Sequence, residues 1–188
     1  METEITVQVF NKLEEIQKIL KGSGFEMIES YQLNDWYFSK YEDISFFGYQ
    51  DLLNNSFLVR QIIDDNPQIQ LCYKKKVLDE NNNVISEEKT NTTIKDLEKT
   101  LQIFKMANLN NYCVLKNNSY VYKKDEICFV VQCIKDLGIF IEYEEDDSMK
   151  NMNEKEKFNY MSKIVKQLGL KLGQNYSCKK VYMKIKNM

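Results

Sequence analysis

Two acidic pairs carry the clearest chemistry in this sequence. Glu2-Thr3-Glu4 opens the chain, and Glu142-Tyr143-Glu144 follows Leu137-Gly138-Ile139-Phe140 far downstream. Each pair has carboxylates at i and i+2. On a β-strand that spacing puts both side chains on one face. Four carboxylates gathered on one face repel strongly unless a cation sits among them. The chain contains no histidine, which excludes imidazole-based triads and His-bearing zinc sites. Metal-bound carboxylate chemistry is the easiest to write with what remains.

The cations are unevenly chosen. Among 26 Lys+Arg, Arg60 is the sole arginine. It suggests a need for a planar, bidentate cation, although either cation fits most surface sites. Five cysteines, Cys72, Cys113, Cys128, Cys133 and Cys178, make no C-x-x-C pair and lie mostly in apolar runs. They read as reduced packing residues.

These side chains must be held by strands. Strict alternation predicts a strand over Glu2 to Phe10. Asn11 is the expected cap of a helix through Leu13, Ile16, Ile19 and Leu20, ended by Gly22-Ser23-Gly24. Further strands are expected over Phe25 to Phe38, Ser56 to Ile63, Gln68 to Leu78 and Val84 to Thr93, with a turn at Asp79 to Asn83. Tyr41 to Asn55 reads as loop with one helical turn. A helix over Ile94 to Met106 precedes strands over Tyr112 to Tyr122, Glu126 to Ile134 and Ile139 to Glu145. A helix over Asn153 to Leu168 follows, and the basic tail Tyr176 to Met188 is expected to add a strand. No repeat, linker or boundary divides residues 1–188, so one domain is expected.

With a hydrophobic fraction of 43% and a net charge of -2, the chain reads as globular. Nothing indicates a nucleic-acid partner held by bulk charge. No apolar run follows Met1 or reaches membrane-spanning length, so no membrane partner is expected and cytoplasmic residence is the default. Several strands set charged or amide side chains opposite an apolar set: Glu2/Glu4/Gln8, Arg60, Lys74/Lys76, Lys116/Asn118 and Glu142/Glu144. Periodicity alone favours an open antiparallel sheet with one wet face. A closed barrel would instead turn the mixed-charge set inward.

Taken in order, the motifs resemble the CYTH superfamily, the triphosphate tunnel metalloenzymes, which include class IV adenylate cyclases and thiamine triphosphatases. Glu2-Thr3-Glu4-Ile5-Thr6 is similar to E-x-E-x-K, and Trp36-Tyr37-Phe38 to an aromatic Y-F-D segment. Phe57-Leu58-Val59-Arg60 matches L-R-I-R, and Cys72-Tyr73-Lys74 matches T-Y-K. Lys116-Asn117-Asn118 stands where K-x-R is expected. Leu137-Gly138-Ile139-Phe140-Ile141-Glu142-Tyr143-Glu144 keeps L-G-x-F-x-E-x-E intact and is the most specific element.

The resemblance implies an α+β fold, an antiparallel eight-stranded β-barrel forming a tunnel with helices packed outside. It implies a triphosphate or other small anionic ligand bound by Arg60, Lys74, Lys76 and Lys116, with Lys89 less securely placed. It further implies magnesium or manganese on Glu2, Glu4, Glu142 and Glu144, and it allows a homodimer. The implied reaction is hydrolysis of a triphosphate or cyclisation of ATP. Thr6, Gln8, Leu58, Asn118 and Gln132 stand at positions the family usually charges. Those departures favour the alternative of an anionic ligand bound without turnover. A structural barrel with a protein partner is a further option.

Overall fold

The computed structural model describes residues 3–41, 44, 56–78 and 84–186. Its strands are β1 (Glu4–Val9), β2 (Glu26–Ser39), β3 (Ser56–Ile63), β4 (Gln68–Leu78), β5 (Val84–Ile94), β6 (Asn110–Lys124), β7 (Ile127–Ile134) and β8 (Gly138–Glu144). The helices are α1 (Leu13–Gly22), α2 (Leu97–Met106), α3 (Glu154–Gln167) and α4 (Lys180–Lys186). The strands form an eight-stranded sheet in the order β1-β8-β7-β6-β2-β3-β4-β5. Its pairing is antiparallel, and the class is the expected α+β. Two compact units emerge, one of Gln32–Lys116 with Lys184–Met188, the other of Glu2–Tyr31 with Asn117–Met183.

In the second unit β1 is two-faced. Ile5, Val7 and Val9 are buried in the core, while Glu4, Thr6 and Gln8 occupy the other face. β8 answers in register: Ile5 lies opposite Tyr143, Val7 opposite Ile141 and Val9 opposite Ile139. Phe129 and Val131 of β7 continue the apolar face, and Ile16 and Leu20 of α1 with Met161 and Val165 of α3 cover it. The rings of Phe25 and Tyr143 lie 4.9 Å and 5.1 Å from that of Phe129. Burying a side chain of this size contributes about 1.5–3 kcal/mol. A slip of one residue would turn the whole apolar set outward.

Local chemistry fixes the start of β8. Asp136 and Gly138 both have positive φ, 63° and 115°, in the β7–β8 turn. Gly138 tolerates that conformation without a Cβ penalty. A Cβ there would also stand 3.2 Å from Gln8 Nε2. The Leu-Gly of the sequence motif is therefore the turn that sets the register of Glu142 and Glu144.

In the first unit β3 lies between β2 and β4, and β5 pairs with β4. Phe38, Val59 and Phe104 form its core with Trp36, Leu71 and Leu101 packed around them. The side chain of Asp96 caps α2 by accepting from Lys99 N–H at 3.0 Å.

Three sequence expectations are corrected. Lys12, not Asn11, occupies the N-cap of α1. The Asn11 side chain instead binds Glu15 and the Lys171 N–H, at 3.1 and 2.7 Å. Ile94 ends β5, because Asp96 starts the helix. Among its described residues the tail adds no regular strand: Ser177 makes an isolated bridge to Thr6, and Lys180–Lys186 is helical. Most of Tyr41 to Asn55, and the turn at Asp79 to Asn83, lie outside the described residues.

Glu145, just after β8, ties that strand's end to Thr3, just before β1. Its carboxylate accepts from Thr3 N–H and from Lys157 Nζ, each at 2.8 Å. Its own N–H donates to Thr3 O at 2.9 Å. Burial alone would raise this carboxyl, but the Lys157 and Thr3 donors outweigh it and hold it below the usual range. Glu145→Gln keeps the shape and removes the charge. It is expected to lower unfolding free energy by about 1.5–3 kcal/mol, as for hydrogen bonds to charged groups, in a denaturant melt. An unchanged midpoint would contradict this role.

Candidate metal centre

The face of β1 and β8 opposite the core carries the acidic residues. Glu4 lies opposite Glu144, and Thr6 opposite Glu142. Carboxylate oxygens of Glu4, Glu142 and Glu144 all lie within 4.8 Å of one another. Glu4 and Glu142 are half-buried and Glu144 is exposed. Magnesium–oxygen bonds of about 2.1 Å in an octahedron separate ligand oxygens by about 3.0 to 4.2 Å. The three carboxylates are hard oxygen donors of the kind such an ion takes. Glu2, the fourth carboxylate expected from the sequence, lies outside the described residues. Glu145 is turned to the Thr3 and Lys157 contacts described above.

A residue that sequence reasoning missed stands beside this cluster. Lys180 Nζ donates to Glu142 Oε2 at 2.5 Å and to Gln132 Oε1 at 2.6 Å. Gln132 is 6% exposed. The only signal was the basic character of the tail, which does not reveal that a short helix would aim one lysine at β8.

The backbone beneath explains the placement. Thr6 N–H donates to Tyr176 O, and Cys178 N–H donates to Thr6 O, both at 2.9 Å. The chain leading into α4 is thus pinned across β1, two residues before Lys180. Thr6 itself is 4% exposed.

The cations expected from the sequence belong to the first unit. Arg60 and Asp35 are direct cross-strand partners on β3 and β2. They form a two-pronged pair, Nε to Oδ1 at 2.8 Å and Nη2 to Oδ2 at 2.7 Å. Asp35 is 3% exposed. Burial alone would lower the guanidinium's pKa, but the Asp35 carboxylate more than reverses that and raises it. Burial, then Asp35, pushes the neighbouring Tyr37 hydroxyl well up.

The sequence therefore located a bidentate arginine but not its partner. Asp35 takes two of the five N–H donors a guanidinium carries. Lys116 is exposed on β6. Lys74 and Lys76 sit on β4 opposite Lys89 and Glu87, and their side chains lie outside the described residues. Leu58, at a family cation position, is buried. The five cysteines form no disulfide. Burial pushes the Cys113 thiol up to about 11, so it is protonated at neutral pH.

The Arg60–Asp35 pair has a measurable consequence. Removing one partner of a buried pair leaves an uncompensated charge and costs about 3–5 kcal/mol. Arg60→Met is expected to destabilise by that amount in chemical denaturation, and Arg60→Met with Asp35→Asn by clearly less. Equal losses in the single and double variants would show that the pair is not what holds β2 to β3.

No family model matches the chain. A protein of Methanocaldococcus jannaschii named "Putative adenylate cyclase" is 26% identical over 189 residues, covering 100% of this chain and 99% of its own. Among solved structures, the PH1819 protein of Pyrococcus horikoshii OT3 aligns with a TM-score of 0.76 at 17% identity, over all of both chains. The "Putative adenylyl cyclase HpAC1" of Hippeastrum, described as revealing a dominant triphosphatase activity, aligns with a TM-score of 0.63 at 15% identity, covering 100% of this chain and 96% of its own. Among the described residues no helix is long and apolar enough to cross a membrane. The strand order, the full-length relative and these neighbours together give this chain a CYTH-like fold.

Proposed function

We propose that the carboxylate centre of β1 and β8 holds one magnesium or manganese ion, and that the chain acts there on a triphosphate. The observation that carries this reading is the convergence of Glu4, Glu142 and Glu144 oxygens within 4.8 Å on one sheet face. A bound divalent ion would polarise phosphoryl oxygens and offset charge that develops during phosphoryl transfer. Glu4, Glu142 and Glu144 would hold it, and Lys180 orients Glu142. The reaction class is hydrolysis of a triphosphate or cyclisation of ATP. A full-length relative is named for the second, and a neighbour of like fold is described with the first.

A second reading has its own support. Thr6 and Leu58, at positions the family usually charges, are both buried and uncharged, and Arg60 is held by Asp35. Each missing charge-assisted contact weakens anion binding by about 1.5–3 kcal/mol. That pattern favours a small anionic ligand bound without turnover.

The deciding experiment offers tripolyphosphate, ATP and thiamine triphosphate, each with magnesium and with manganese. It follows released phosphate, pyrophosphate and cyclic nucleotide. The proposal expects metal-dependent turnover of at least one, reduced roughly 100-fold by Glu142→Gln through the lost metal ligand. Metal-independent turnover, or turnover indifferent to Glu142→Gln, would refute it. Metal-dependent binding without any product would favour the second reading.

A further inference from the structure

We propose that Lys180 is the built-in cation of the carboxylate centre, supplying from α4 the charge that position 6 lacks. The inference rests on the metal reading above and deepens it. Thr6 is the cross-strand partner of Glu142. A lysine at position 6 would therefore stand beside that carboxylate, because directly opposed side chains lie about 4.5–5.5 Å apart at Cβ. Threonine carries no charge there, and the Tyr176–Cys178 backbone closes over it.

That covering segment is the one that brings Lys180 into place. Its ammonium reaches Glu142 Oε2 at 2.5 Å and Gln132 Oε1 at 2.6 Å. Gln132 completes the arrangement. As an amide it accepts a hydrogen bond from the ammonium without adding negative charge. A carboxylate at that position would compete with the metal ligands for cations. Lys180 thus acts as a positioning residue. It orients Glu142, offsets the negative charge of that carboxylate and would compete with a metal ion for one of its oxygens.

The test uses Lys180→Met and Lys180→Arg in the full chain, with manganese binding followed by calorimetry and then tripolyphosphate binding at saturating manganese. Removing one positive charge beside the ion should tighten manganese roughly tenfold and weaken tripolyphosphate roughly tenfold. Lys180→Arg should stay near wild type in both. Opposite movements distinguish this role from general damage to the fold, which would weaken both.

Unchanged affinities in Lys180→Met, or loss of both, would overturn the proposal. Manganese binding that shifts as expected while wild type ignores tripolyphosphate would refute the triphosphate reading and leave Lys180's role supported. If wild type bound no manganese, the metal reading would fall. A thermal double-mutant cycle of Lys180→Met with Glu142→Gln would then decide the Lys180–Glu142 coupling. A double variant that costs less than the sum of the singles supports it, and additive losses overturn it.

Discussion

The two-faced register of β1 and β8 is the constraint on which the rest depends. Glu4, Glu142 and Glu144 would not gather on their own account, since their mutual repulsion opposes it. They are brought together because Ile5, Val7, Ile141 and Tyr143 on the reverse face bury completely. α1 and α3 complete that core, and Gly138 sets the strand's starting point. Apolar packing on the reverse face thus sets the three carboxylates side by side, where a cation could join them.

Several charges among the described residues are met by pairing within the chain. Asp35 satisfies Arg60 within β2 and β3, and Lys180 satisfies part of Glu142's demand from α4. Lys157 does the same for Glu145. The lone arginine stands where two parallel hydrogen bonds to a buried carboxylate are needed, a geometry that lysine cannot reproduce. Lysines serve where a single ammonium reaches around a carboxylate oxygen.

Much of this was legible from the residues. The alternation over Glu2 to Phe10 and the strand read over Ile139 to Glu145 correspond to β1 (Glu4–Val9) and β8 (Gly138–Glu144), and the i, i+2 spacing gives the face that the carboxylates take. The Leu-Gly turn signals where β8 begins. The helix expected over Asn153 to Leu168 is found as α3, Glu154–Gln167, and the structure adds that Asn153 caps it in a reciprocal box with Glu156. The misses have one physical origin, which is dependence on partners distant in sequence. Asn11 reads as a helix cap, but a contact 160 residues away, to Lys171, draws its side chain elsewhere. The tail reads as strand, yet Lys180 gains a partner at Glu142, 38 residues before it. Asp35 carries no local signal at all, because its meaning comes from being opposite Arg60.

The central claim is that Glu4, Glu142 and Glu144 form a cation centre. Its most direct measurement is an anomalous-scattering map from crystals grown with manganese. The account predicts one manganese peak bonded to oxygens of all three glutamates, with Lys180 still against Glu142 or displaced from it by the ion. A map with no peak at these residues under saturating manganese, or with the metal bound only elsewhere on the chain, would contradict it.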